Sequence, residues 1–165
     1  MAVTTQKSTE YTNATASPPV KNSTAEMHGR VRVAYFNHVQ SGAGEAGSSV
    51  ALCKLPAGRV RLLLGSSFMY FNWTTASALC DLGWDAYTGI DGVAVVADDN
   101  GLINDLDVDA VGLRSGEDLV TLAAVIAQGG THVFQSNSGV VIRATSPTAI
   151  VDGDDLYGYF LYVVD

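Results

Sequence analysis

The segment from Val50 to Tyr87 constrains the fold more than any other part of the sequence. Its apolar runs are short and are separated by turn residues, most clearly Pro56-Ala57-Gly58 and Gly65-Ser66-Ser67. Proline fixes φ and glycine accepts a positive φ, so both tripeptides favour turns. The pattern predicts strands at residues 59–63, 68–73 and 77–84, and therefore a fold built from β-strands.

Two of the predicted strands are apolar on both faces. The first is the run from Phe68 to Trp73, and the second is the last strand, from Leu156 to Val164. A strand that faces solvent on one side usually alternates apolar and polar residues, and neither run does so. We therefore expect the first to be a core strand, and the last to lie centrally in its sheet or underneath a partner.

The remaining sequence predicts a single all-β domain with one short helix. Further strands are expected at residues 29–36, 92–96, 131–135 and 139–145, and the 17 glycines and many β-branched residues favour a sandwich or a barrel. Ser115 and Asp118 resemble a helix start before residues 119–126, although a strand there is the competing interpretation. With 165 residues, the chain has enough material for one good core.

The two cysteines, Cys53 and Cys80, both fall inside predicted strands. The sequence has no recognisable secretion signal, and no apolar stretch reaches the roughly 18 residues of a membrane helix. We expect both cysteines to be buried free thiols, and the protein to be soluble and synthesised in a cytoplasm.

The first 27 residues differ in composition from the rest of the chain. They contain almost no aliphatic residues and show neither helical nor strand periodicity, so they cannot form a core of their own. The segment is either a disordered tail or an arm that becomes ordered on a partner. In the second case the expected contacts are Tyr11, Pro18, Pro19, Lys7 and Lys21.

Charge is distributed unevenly along the sequence. The net charge is −8, but the residues up to Arg61 include seven basic and three acidic side chains, and the remainder includes two basic and fourteen acidic ones. An acidic body argues against nucleic acid as a partner, because phosphate binding requires a face rich in lysine and arginine. The basic leading part suits an acidic protein surface instead.

Four arginines follow a similar alternating pattern in two predicted strands. They are Arg30 and Arg32 in one strand, and Arg59 and Arg61 in another. We expect these strands to be neighbours that share an arginine-bearing face, which can pair with carboxylates of a partner or of the same body.

The sequence supports no catalytic, cofactor-binding or metal-binding residues. The acidic residues from Asp98 to Asp109 invite a calcium interpretation, but the spacing of an EF-hand is absent, and a structural loop with exposed acids is favoured. His28, His38 and His132 are scattered and are expected to lie on the surface or at sheet edges. No nucleophile elbow or phosphate-binding loop is present.

Several stretches of the chain resemble a known group of proteins. They are KSTEYTNATASPPVK, HGRVRVAYF, LCKLPAGRVRLL, NWTTASALCDLGWDAY and GDDLYGYFLYVVD. Taken together, they resemble the capsid decoration (cement) proteins of tailed bacteriophages, over nearly the whole chain.

The resemblance implies a jelly-roll-like antiparallel β-sandwich at residues 28–165, preceded by an extended N-terminal arm at residues 1–27. It implies a non-enzymatic homodimer or homotrimer that decorates and stabilises the outer capsid surface of the virion by bridging copies of the major capsid protein, with no cofactor, nucleic acid or membrane involved. The expected interface consists of the arm and the arginine face: Lys7, Tyr11, Pro18, Pro19, Lys21, Arg30, Arg32, Arg59 and Arg61.

A carbohydrate-binding sandwich from a phage tail or host-attachment apparatus is the alternative. In that case Tyr70, Trp73, Trp84 or Tyr87 would stack on sugars. Most of these aromatic residues fall in the densest apolar runs, which favours core packing over sugar binding. A small hydrolase that uses the Asp98–Asp109 segment with a divalent ion is a further alternative.

Overall fold

The computed structural model describes residues 17–18, 30–120 and 129–165. Within them the chain forms twelve β-strands and two 3₁₀ turns, at Leu64–Ser66 and Gly116–Asp118. The strands are β1 (Val31–Val39), β2 (Ser48–Leu55), β3 (Gly58–Leu62), β4 (Phe68–Asn72), β5 (Leu79–Trp84), β6 (Tyr87–Thr88), β7 (Ala94–Val95), β8 (Asp98–Asp107), β9 (Gly112–Ser115), β10 (His132–Ser136), β11 (Val140–Ser146) and β12 (Asp155–Val164). No helix among these residues is long and apolar enough to cross a membrane.

The first sheet is organised around β12, which is paired along both of its edges. β1 pairs with one edge over nine consecutive positions. The other edge carries β4 and then β3, which follow one another in line with the first 3₁₀ turn between them. β9 and β10 continue the sheet beyond β4 and β3 respectively. The sheet is therefore four strands wide. β3 and β4 together occupy the third position, and β10 and β9 together occupy the fourth.

The second sheet has the order β2, β11, β5, β8. If β3 with β4 and β9 with β10 are each counted as one interrupted strand, the molecule has eight long strands, and the hairpin β6–β7 lies outside them. The first then pairs with the eighth, the second with the seventh, the third with the sixth, and the fourth with the fifth. This is a long hairpin wrapped into two antiparallel sheets, which is the topology of a jelly roll. The predicted all-β, jelly-roll-like sandwich is confirmed.

The core lies between the two sheets and is formed by alternate residues of each strand. β12 contributes Leu156 and Phe160, and β4 contributes Met69 and Phe71, all of them fully buried. Gly158 lies on the same face, where an added Cβ would stand 2.3 Å from the carbonyl oxygen of Phe68 and 2.8 Å from the ring of Phe36. Glycine is therefore required there, because any larger residue would push the Phe36 ring and β4 away from β12.

The strands predicted between Val50 and Tyr87 are observed as β3, β4 and β5, and the last three predicted strands as β10, β11 and β12. The acidic stretch, in contrast, is not a loop. Residues Asp98–Asp107 form the edge strand β8, because Leu102, Ile103 and Leu106 pack against the core while its exposed acids, Asp99, Asp105 and Asp107, face solvent. That prediction is wrong.

The predicted helix start at Ser115 opens a 3₁₀ turn. The Asp118 carboxylate accepts a hydrogen bond from the backbone N–H of Ser115 at 3.2 Å, in the manner of a capping box. The turn ends after Asp118, and Leu119 is fully buried. Most of the segment predicted as helix, residues 119–126, lies outside the described residues, which end at Val120 and resume at Gly129.

Cys53 and Cys80 are free thiols, as the sequence predicts, with Cys80 buried and Cys53 half-buried. Desolvation raises the pKa of Cys53 to about 12 and also raises that of Cys80. Both thiols therefore stay protonated and unreactive near neutral pH.

A buried carboxylate joins three loops at one end of the sandwich. Asp154 is 2% exposed, and its Oδ1 accepts hydrogen bonds from the backbone N–H of Thr74 at 3.0 Å and from the Thr74 hydroxyl at 2.9 Å. Its Oδ2 accepts a bond from the backbone N–H of Val151 at 2.9 Å. The backbone carbonyl of Asp154 also accepts a bond from the N–H of Gln40 at 2.8 Å. One residue thus holds the chain entering β12 against the ends of β1 and β4.

His132 lies on β10, an edge strand of the first sheet, as the sequence predicts, but its side chain is not fully exposed. On β10 it is half-buried, and its ring lies 5.1 Å from that of Trp84 and 4.5 Å from that of Phe134, measured between centroids. Burial lowers the pKa of His132, although the nearby Asp98 carboxylate opposes this effect. His38 also lies on an edge strand, β1, and His28 lies outside the described residues.

Because His132 is half-buried, we expect the protein to lose stability in mild acid. The pKa of His132 is lower in the folded protein than in the unfolded chain, where it is about 6.5. Below that pH the unfolded state takes up the proton first, so the free energy of unfolding falls as the pH drops from about 6.5 toward the folded-state pKa. Urea unfolding at a series of pH values is expected to show this fall in the wild type and a shallower one in His132→Gln. His38→Gln is the matched control and should keep the wild-type profile; equal profiles for wild type and His132→Gln would contradict the assignment.

Candidate interaction surface

Much of the outer face of the first sheet is apolar and aromatic, and its side chains on β1 and β9 are exposed. Because the even-numbered residues of β12 from Leu156 to Phe160 point into the core, Tyr157, Tyr159 and Leu161 point outward. By the same alternation Phe68 and Tyr70 of β4 point outward. We call this surface the aromatic face; it comprises Val31, Val33, Tyr35, Phe68, Tyr70, Leu113, Tyr157, Tyr159 and Leu161.

Cross-strand register brings these side chains together in rows. Tyr159 stands opposite Tyr35 on one side and Phe68 on the other, and Tyr157 stands opposite Tyr70, which is itself opposite Leu113. The rings of Phe68 and Tyr159 meet edge to face, with centroids 4.3 Å apart. Such pairs fix the orientation of the rings, so the aromatic face is a preorganised surface.

Exposure is greatest along β1 and β9. Tyr35 is 66% exposed, Val33 is 60% exposed and Leu113 is 56% exposed. The central rings on β4 and β12 are half-buried. A contiguous apolar surface across four strands is unusual on a protein that stays alone in solution, and it is typical of an interaction site.

The aromatic face has no charged members, although Asp155, Arg59 and Arg61 lie on the same outer face of the sheet. Its members carry no acidic or basic group except the phenols. Desolvation by neighbouring side chains, and then the Asp155 carboxylate, raise the pKa of Tyr157 above its ordinary value. A surface without charge loses little hydration energy when a partner covers it, which favours binding.

The outer face of the second sheet has the opposite character. Arg143 donates two hydrogen bonds to the Asp85 carboxylate, at 2.5 and 2.8 Å, and a third to the Ser49 hydroxyl at 3.0 Å. The bonds from Arg143 lower the pKa of Asp85. On the same sheet Lys54 is exposed, and Asp81 accepts a bond from the backbone N–H of Asp105 at 2.7 Å. One outer side of the sandwich is therefore polar and charged, and the other is largely apolar.

The predicted arginine face does not exist. β1 and β3 are not neighbours, because β12 lies between them and pairs with both. Arg32 aligns through Tyr162 with the buried Leu62, whereas Arg61 aligns through Val163 with Val31, so the arginines of the two strands point to opposite faces of the sheet. Alternation in the sequence shows which residues of one strand share a face, but it does not show whether the arginines of β1 and β3 point to the same face of the sheet.

The four arginines also differ in their surroundings. Arg59 forms an ion pair with Asp165 at 2.5 Å, and Arg61 is buried and donates to the Thr131 hydroxyl at 3.1 Å. Arg30 and Arg32 are exposed. Of the predicted arm contacts, Pro18 is exposed at a bend, while Lys7, Tyr11, Pro19 and Lys21 lie outside the described residues.

The aromatic residues of the carbohydrate hypothesis do not form one surface. Trp73 is 3% exposed and packs edge to face on Phe71 within the core. Trp84 and Tyr87 pack against Phe134. Only Tyr70 belongs to the aromatic face. Among the described residues, no group of three or more histidine, cysteine or acidic side chains is placed to hold a metal ion.

Apart from Tyr70, the members of the aromatic face are not among the site residues predicted from the sequence, although the strand pattern points to them. Both strands that are apolar on two faces, β4 and β12, supply its centre. The second apolar face of each strand forms part of the aromatic face.

No family model matches the sequence, and no curated protein sequence matches it. Solved structures with a similar fold include one from the capsid asymmetric unit of cyanophage Pam1, at 10% identity and a TM-score of 0.46, covering 84% of this chain and 88% of that one. A second comes from the capsid of Helicobacter pylori bacteriophage KHP30, at 14% identity and a TM-score of 0.39, covering 82% and 94%.

A third similar structure is the VP2 subviral particle of infectious bursal disease virus, at 8% identity and a TM-score of 0.47. The match covers 84% of this chain and 33% of that one. At these TM-scores the likenesses carry no argument about function, and the assignment of a jelly roll rests on the strand order of this chain.

Proposed function

We propose that this protein is a structural component of a bacteriophage virion, which binds the outer surface of the capsid and stabilises it by bridging copies of the major capsid protein. The observation that carries the proposal is the aromatic face, a preorganised and uncharged surface on one side of the sandwich. The sequence resemblance to decoration proteins supplies the kind of partner. The role of the protein is contact and not catalysis.

The two sides of the sandwich suit a molecule placed between a shell and solvent. The aromatic face lies against the shell and loses apolar surface to it, which is the main driving force of association. The polar sheet, with Arg143, Asp85 and Lys54, faces outward. Because the body is acidic, decorated particles repel one another and also repel free nucleic acid.

The N-terminal segment contributes a second contact in this proposal. Residues 1–27 lead directly into β1, one of the strands that form the aromatic face. An arm there can extend the contact from the aromatic face onto a neighbouring capsid protein, with Lys7, Tyr11, Pro18, Pro19 and Lys21 as its contacts. Two linked contacts bind more tightly than either alone, because the second forms at a high effective concentration.

Co-sedimentation with capsids that lack the protein tests the proposal. The full chain is expected to pellet with the capsids and to saturate at a fixed stoichiometry. A variant lacking residues 1–26 is expected to keep the far-ultraviolet circular dichroism of a β-protein but to bind far more weakly. No binding by the full chain would overturn the proposal, and equal binding by the shortened chain would remove the arm from it.

A further inference from the structure

β1 forms a long and regular edge of the first sheet, to which another strand could add. β1 is nine residues long and pairs with β12 at every position without a bulge. Among the described residues no strand pairs with its other edge. Long and regular edges are normally protected by proline, charged side chains or a bulge; β1 (VRVAYFNHV) has no proline, lysine or bulge, and its one charged residue is Arg32 near its start.

We propose that β1 pairs antiparallel with β1 of a second copy of this chain, so that two sandwiches share one continuous sheet. This inference does not rest on capsid binding. Full overlap of the two strands places Tyr35 opposite Tyr35 of the second copy, Val33 opposite Asn37, and Val31 opposite Val39. The exposed side chains of this strand then meet one another in cross-strand pairs, and no two like charges stand opposite each other.

Charge complementarity selects a second copy in this orientation. Arg30 and Arg32 are exposed at the start of β1. Near its other end, the Asp152 carboxylate accepts a hydrogen bond from the backbone N–H of Gly42 at 2.6 Å. Antiparallel pairing brings the basic end of each strand to the acidic end of the other, at both ends of the interface. A parallel arrangement would place like charges together.

The pairing also joins the two aromatic faces. Antiparallel strands of identical chains are related by a two-fold axis perpendicular to the sheet, and such an axis keeps the outer face of each copy on the same side. Tyr35 and Val33 of both copies then lie in the middle of one surface, which is twice as wide as the aromatic face of a single chain.

Sedimentation equilibrium and directed cross-linking of the purified full chain test this inference. The wild type is expected to have twice the mass of one chain. In Tyr35→Cys, the two new thiols face each other at a Cα separation of about 5 Å, which a disulfide spans, and mild oxidation is expected to give a covalent dimer. Cys53 and Cys80 do not interfere, because burial keeps both protonated.

Asn37→Cys is the matched control. Asn37 is exposed on the same strand and the same outer face, but the two copies of residue 37 lie four residues apart along the strands, which is about 13 Å and too far for a disulfide. This variant should stay uncross-linked. A monomeric wild type would overturn the proposal, and so would a dimer or higher oligomer in which Tyr35→Cys cross-links no faster than Asn37→Cys.

Discussion

Replacing Asp154 by alanine is expected to lower the free energy of unfolding by about 3–5 kcal/mol, because three hydrogen bonds to a buried carboxylate are lost together. Two of the donors are the backbone N–H groups of Thr74 and Val151, which cannot turn toward another partner. They are left without an acceptor in a region where the side chain is 2% exposed. Urea unfolding followed by tryptophan fluorescence measures the loss.

Asp155→Ala is the matched control for this prediction. Its carboxylate is half-buried, and the bond that it accepts from Asn72 is long, at 3.4 Å. Its removal should cost less than about 1 kcal/mol. If Asp154→Ala cost no more than Asp155→Ala, Asp154 would not be the residue that holds the loops together.

Replacing Tyr159 by glutamate is expected to weaken binding to capsids at least about 30-fold, which corresponds to about 2 kcal/mol. Tyr159 lies at the centre of the aromatic face, between Tyr35 and Phe68. A carboxylate there would have to lose its hydration when the shell covers the surface, without gaining a partner. Titration of capsids with the labelled variant measures the change in affinity.

Two variants separate a lost contact from added charge or altered folding. Tyr159→Phe keeps the edge-to-face contact with Phe68 and should bind within about threefold of the wild type. Ala51→Glu adds the same charge at an exposed position on the second sheet and should bind normally. If Ala51→Glu weakened binding as much as Tyr159→Glu, the general charge of the protein, and not the aromatic face, would govern binding.

The strands of this protein could be predicted because their local signals are strong. Turn residues such as Pro56 and Gly65 divide the Val50–Tyr87 segment into strands, and the alternation of Arg59, Val60, Arg61 and Leu62 correctly gives β3 a buried face and a polar face. Residues 59–72 do not form one long strand, because the chain makes a 3₁₀ turn at Leu64–Ser66 before β4 begins.

The incorrect predictions concern which strands are neighbours and which lie at an edge. Local sequence patterns do not contain this information. The arginines of β1 and β3 alternate alike, yet β12 lies between the two strands and their phases differ. The sequence predicts a loop at the acidic residues of β8 because they are clustered without the spacing of a calcium site. An edge strand can place such residues toward solvent while Leu102 and Leu106 pack inward.

The sequence predicts which strands supply the candidate surface but not which side chains lie next to one another on it. The apolar patterns of β4 and β12 predict that both faces of each strand are covered, in the case of β12 either by its own sheet or by a partner. Which side chains share a row depends on register: Tyr35, Tyr159 and Phe68 are far apart in sequence and adjacent only because β12 pairs with both β1 and β4.

Electron cryomicroscopy of capsids decorated with this protein tests the central claim most directly. We expect added density on the outside of the shell. In this density β1, β12, β4 and β9 should lie against the capsid protein, with Tyr157 and Tyr159 at the contact. Arg143 and Asp85 on the second sheet would face solvent. Density with the second sheet against the shell, or no added density at all, would contradict the account.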